Sequence, residues 1–140
     1  WYPNRRAALR GTVKLVDASF LIDYARGDDA AIAYLAAHDS EEIGAPTIVL
    51  SELYRGLMIT QEMTQAEAMS KYEWVQPVPF TNETAAEAAE IYAKLRADGE
   101  MINKSDIYIA GTARSLGVSL VVDDTHFAAI EDLQIETYRD

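Results

Sequence analysis

Apolar and polar positions fall into two alternating kinds of segment. Short apolar runs at residues 12–17, 43–45, 75–79, 119–122 and 135–138 have the length and branched-aliphatic content of buried strands. Between them lie stretches whose apolar residues recur every three or four positions, predicting helices over 19–26, from 28 through the alanine-rich segment around 30–35, and over 47–59, 64–74, 82–97 and 105–116. A brief further helix is expected at 127–130. Gly27, Gly99 and Gly117 stand where helices should stop, while Asp28, Pro46 and Thr81 or Asn82 stand where they should start. Strands alternating with helices imply an α/β fold, three-layer α/β/α around a small, mostly parallel sheet. Pro77 and Pro79 push the 75–79 strand to an edge.

This pattern gives several carboxylates a special place. Asp17 ends the first apolar run and is followed at once by a second, so it belongs at a strand tip. Asp123 and Asp124 repeat that arrangement after the 119–122 strand, Asp106 falls in the first turn of the 105–116 helix, and Glu52 lies beside the buried stripe of 47–59. Taken singly, each has an ordinary explanation: Asp17 as a helix cap, Asp106 as a favourable charge at a helix N-terminus, Glu52 as a solvated side chain, the Asp123-Asp124 pair as a polar turn. In a parallel sheet, however, strand tips and helix N-termini open on the same edge, where ligands bind. Carboxylates gathered there repel one another unless cations neutralise them, and all-oxygen ligands select a hard divalent ion, Mg2+ or Mn2+. His38 and His126 sit in no ligand-spaced cluster and read as surface histidines. Such a centre suits hydrolysis of a phosphodiester by activated water.

Composition narrows the setting. A chain of 140 residues, 49% hydrophobic, is expected to form one domain over 12–140, preceded by a basic, irregular arm over 1–11. The absence of cysteine removes disulfides, thiolate metal sites and a cysteine nucleophile. No apolar run approaches the length of a membrane span, and Arg5, Arg6 and Arg10 interrupt any secretory pattern, so a soluble, cytoplasmic protein is expected. A net charge of -11 opposes a broad electrostatic grip on nucleic acid. Local positive charge is therefore needed, from metal ions or from Arg26, Arg55, Lys104 and Arg114, which otherwise read as solvated cations. Trp74 and the tyrosines read as core or interface, since none sits in a basic aromatic cluster.

The ordered series Val16-Asp17-Ala18-Ser19-Phe20-Leu21-Ile22-Asp23, Ser51-Glu52-Leu53-Tyr54-Arg55-Gly56, Asp106-Ile107-Tyr108-Ile109-Ala110 and Asp124-Thr125-His126-Phe127 resembles the PIN domain, specifically its VapC-type toxins. The resemblance implies acids at Asp17, Glu52, Asp106 and Asp124, with Ser19 helping to organise the site and Asp23 in a structural role. It further implies a Mg2+- or Mn2+-dependent ribonuclease, homodimeric, held inactive by a VapB-like antitoxin whose tail enters the acidic cleft. The chain departs from that pattern at Val122, where Thr or Ser is frequent, and at Asp123, where Asn or Arg is common; Asp123 is thus a further candidate ligand, ranked behind Asp124. Two alternatives stand beside this reading: a catalytically inactive PIN-like module that binds RNA or protein, and a phosphatase or phospho-acceptor domain. Aspartate phosphatases usually carry a second Asp two positions after the first, where this chain has Ser19.

Overall fold

A computed structural model describes residues 13–123 and 126–139. Among the described residues, five strands form one sheet: β1 (Val13–Val16), β2 (Glu42–Pro46), β3 (Gln76–Val78), β4 (Ser119–Val122) and β5 (Ile135–Thr137). Their spatial order is β3-β2-β1-β4-β5 and every pairing is parallel, so the expected "mostly parallel" sheet is wholly so. β3 lies at an edge, as its prolines require. The central strand is β1, and the chain leaves it toward β2 on one side and returns as β4 on the other. That reversal opens a crevice beyond the carboxyl end of β1.

The helices among the described residues are α1 (Ala18–Ala25), α2 (Asp29–Ala37), α3 (Thr47–Thr60), α4 (Gln65–Lys71), α5 (Asn82–Asp98) and α6 (Lys104–Leu116). α4 is shorter than its apolar pattern suggests. A capping box between Thr64 and Glu67 fixes its start, and the chain turns at Tyr72, so Tyr72 and Trp74 lie beyond its end. The segment 126–129 is a run of turns rather than the expected brief helix, closed by a hydrogen bond from Ile130 N to Phe127 O (3.1 Å); four residues cannot offset the entropy of nucleating a helix.

The core lies against both faces of the sheet. Leu15, Val16, Leu120, Val121 and Val122 are fully buried, as are Phe20 and Leu21 of α1 and Val49 of α3. These strands carry no polar alternation because both faces are covered. α5 and α6 pack so closely that Gly111 faces the backbone of Ala88. Gly117, at φ 68°, ends α6 in the left-handed conformation its position predicts. Of the two expectations for Trp74, core or interface, the core is excluded: it is 43% exposed, its ring centroid 5.3 Å from that of Tyr24.

Candidate metal-binding active site

Asp17 follows the last residue of β1 and is only 7% exposed. It leaves the strand in extended conformation and caps α1, its Oδ1 accepting a hydrogen bond from Phe20 N at 3.1 Å. The capping role is therefore real, but the same residue also faces a cavity. That cavity, of about 470 Å³, is lined by Asp17 and Ser19 at the start of α1, Glu52 of α3, Asn103 and Asp106 at the start of α6, and His126, among others.

Local folding explains why Asp106 points there. Asn103 caps α6, its Oδ1 accepting from Asp106 N at 2.9 Å, while its Nδ2 donates to Asp106 Oδ2 at 3.0 Å. The carboxylate is thus held by the same side chain that starts the helix. His126 Nδ1 stands 3.8 Å from Asp106 Oδ2, with its side chain 62% exposed. Sequence reasoning missed both neighbours. The Asn-x-x-Asp spacing of a cap would have found Asn103, whereas nothing local distinguishes His126 from a surface histidine.

Asp17 with Ser19, Glu52 and Asp106 thus lie on three separate stretches of the sequence, and the fold brings them to one cavity with Lys104 at its wall. Asp124 lies outside the described residues, as does the 1–11 arm. Arg26 and Arg55 line an adjoining groove that shares Ala18 and Glu52 with the acidic cavity.

Two candidates are engaged elsewhere. Arg114, expected among phosphate contacts, sits in the last turn of α6, more than two helical turns beyond Asp106. There it pairs with Glu87 (2.7 Å) and Glu90 (2.6 Å) and donates to Glu131 O (3.1 Å), tying α6 to α5 and to the 131 turn. Asp123, considered as a further ligand, is not among the residues lining the cavity and pairs with Arg139 Nε at 3.2 Å. Arg139 also reaches Asp23 (2.7 Å) and Asp28 (3.0 Å), and the Tyr138 hydroxyl donates to Asp23 at 2.7 Å. Burial and the Asp23 carboxylate together push the Tyr138 phenol well above its ordinary pKa. Asp23 is thus a structural anchor joining α1 to the end of β5, in keeping with its position inside the helix.

The oxygen-only donor set of Asp17, Glu52 and Asp106 suits a hard divalent cation. Among the described residues, no three acids or histidines already stand close enough to hold a metal by themselves. The set fits such a cation by the chemistry of its donors. Also among the described residues, no helix is long and apolar enough to cross a membrane.

Comparison with known proteins bears on the family and the fold. A model of the PIN domain matches residues 14–133. Ribonuclease VapC19 of Mycobacterium tuberculosis is 28% identical over 125 residues, covering 87% of this chain and 98% of that protein. Two crystal structures share the fold. VapBC2 from Rickettsia felis, bound to a promoter DNA fragment, superposes with a TM-score of 0.78 at 20% identity, over 89% of this chain and 98% of that one. FitAcB from Neisseria gonorrhoeae gives a TM-score of 0.75 at 22% identity, over 89% and 97% respectively. With a family match running from β1 past all four predicted acids, and with three of those acids meeting beyond the central strand, the chain belongs to the PIN domain family.

Proposed function

We propose that this chain is a divalent-metal-dependent endoribonuclease of the toxin–antitoxin type, which hydrolyses RNA phosphodiester bonds. The observation that carries the reading is the meeting of Asp17, Glu52 and Asp106, from three different parts of the fold, in one cavity beyond β1. These three and Asp124 are the residues that would hold Mg2+ or Mn2+. When bound, the cation supplies an activated water and offsets charge on the leaving oxygen of the scissile bond.

The chain's own groups do the rest. Asp17 is fixed by its cap to α1, so its carboxylate is presented from a rigid strand end. Asn103 holds the Asp106 carboxylate in orientation through its amide. Lys104 borders both this cavity and the apolar one beside Tyr108, and is the cation available at the acidic wall as a partner for a phosphate oxygen. Ser19 and His126 offer polar contacts at the same wall. The homology to a ribonuclease VapC, and the VapBC complexes among structural neighbours, support a VapB-like antitoxin as partner.

The test is cleavage of RNA by the purified chain in Mg2+ or Mn2+. Asp17→Asn and Asp106→Asn should abolish cleavage and weaken Mn2+ binding measured by calorimetry, with the circular dichroism spectrum unchanged. Full activity of either variant, or of the wild type in excess EDTA, would refute the proposal. A wild type that binds no divalent ion would favour the inactive binding module instead.

A further inference from the structure

The distribution of cations points past the acidic cavity. Lys14, Lys94, Arg114 and Arg139 each pair with a carboxylate. Arg26, Arg55, Lys71, Arg96 and Lys104 have no such pair among the described residues. In a chain of net charge -11, the cations without a neighbouring acid are the ones free to meet an anionic ligand, so their placement matters. All but Arg96 stand at or beside the acidic cavity. Lys104 lines it, while Arg26, Arg55 and Lys71 line a groove of about 400 Å³ that abuts it and shares Ala18 and Glu52 with it.

Three helices converge to make this groove. Arg26 is the residue at which α1 ends, Lys71 is the last residue of α4, and Arg55 follows Glu52 by three positions on α3. Residues three apart share a helix face, about 4.5 Å apart along the axis. Glu52 and Arg55 therefore mark the passage from the acidic cavity to the basic groove along one helix. All three cations are exposed, and the floor beneath them is closed by Leu53, Leu57 and Tyr72.

We infer that the groove between α1, α3 and α4 is the track for the RNA strand flanking the scissile phosphate, with Arg26, Arg55 and Lys71 contacting successive phosphates. The inference rests on the endoribonuclease reading above. An enzyme that cuts within a strand must let that strand leave the cavity, and this groove is the continuation in which positive charge replaces negative. The groove supplies locally the attraction that the overall charge denies at long range. A segment held by backbone charge alone carries no base readout, so the groove contributes affinity without sequence preference.

The experiment is a titration of a short, unstructured, fluorescein-labelled RNA with the full chain in EDTA, so that the strand stays intact, read by anisotropy. Removing one cation from a phosphate should lower the slope of log affinity against log salt by about 0.7. The triple variant Arg26→Gln, Arg55→Gln, Lys71→Gln should therefore have a slope shallower by about 2. Between about 50 and 200 mM salt, its affinity should fall roughly 18-fold less than that of the wild type. Arg96→Gln, at a cation that lines neither cavity and has no acid partner among the described residues, should behave as wild type. The inference is overturned if the triple variant keeps the wild-type slope and affinity, if Arg96→Gln weakens binding as much per charge as the groove substitutions, or if the wild type shows no RNA affinity under these conditions. The endoribonuclease reading is judged separately by cleavage in metal. A chain that cleaves normally but binds independently of the groove refutes only the track.

Discussion

Gly56 and Gly111 both stand in helix interiors, yet the same change to alanine should move stability in opposite directions. At Gly56, on α3, a Cβ would meet no atom within 4 Å. The substitution gains only helix propensity, about 0.8–1 kcal/mol. At Gly111, on α6, the Cβ would lie 2.9 Å from Ala88 Cβ, 3.0 Å from Ala88 N and 3.1 Å from Ala88 Cα. Two of those three are backbone atoms of α5, so no side chain can rotate away and the helices themselves must separate. Overpacking costs about 1–3 kcal/mol, and the rigidity of this contact places it in the upper part of that range. After subtracting the same propensity gain of about 1 kcal/mol, Gly111→Ala should destabilise by about 1–2 kcal/mol. The gap between the two variants is then about 2–3 kcal/mol, well beyond the error of urea denaturation followed by far-ultraviolet circular dichroism at fixed protein concentration. The same helix contact bears on the site, because α6 carries Asp106 in its first turn. Gly111→Ala should therefore lower cleavage more than its unfolded fraction explains. Both variants shifting the urea midpoint the same way, or Gly111→Ala matching wild type, would show that α5 and α6 do not pack this tightly at Ala88.

Asp17→Asn should retain the cap on α1, since asparagine accepts the Phe20 N–H equally well, whereas Asp17→Ala should lose about 1 kcal/mol in denaturant melts while being no less active than the already inactive Asn variant. Arg139→Gln should release Asp123, Asp23 and Asp28 from their shared partner; thermal melting should show a loss of stability that shrinks as salt rises, and a loss independent of salt would deny the electrostatic role. Glu136 is subject to burial, which raises its pKa, but the Lys14 and Tyr34 hydrogen bonds together bring it below the ordinary 4.5. A depressed carboxyl contributes stability that is complete above its unfolded value and lost as pH falls through its folded value. The wild type should therefore weaken below about pH 4.5, and Glu136→Gln should be less stable at neutral pH yet show a shallower acid limb in urea midpoints. Identical pH profiles would refute that assignment.

The pattern of apolar residues alone determined the sequence of strands and helices, the edge position of β3 and the strand-tip placement of Asp17. Each of these depends on neighbours within a few positions: a Val-rich run, a proline, a turn glycine. The short-range signal failed where two local tendencies competed, as at α4, whose apolar pattern continues past the point where the chain turns at Tyr72, and at 127–130, too short to sustain a helix. The sequence also singled out Asp17, Glu52 and Asp106 by context, because a carboxylate beside a buried stripe or at a strand tip is conspicuous in one dimension. What only the tertiary structure decided was membership. Arg114 looks as suitable in sequence as Lys104, and Asp123 stands next to Asp124, but a side chain's partner is set by elements far away in the chain. Glu87 and Glu90 reach Arg114 across the α5–α6 contact, and Arg139 reaches Asp123 from the end of the last strand. Asn103 and His126 joined the cavity for the same reason, since charge and hydrogen bonding act through space over a few ångströms while sequence spacing reports only the local backbone.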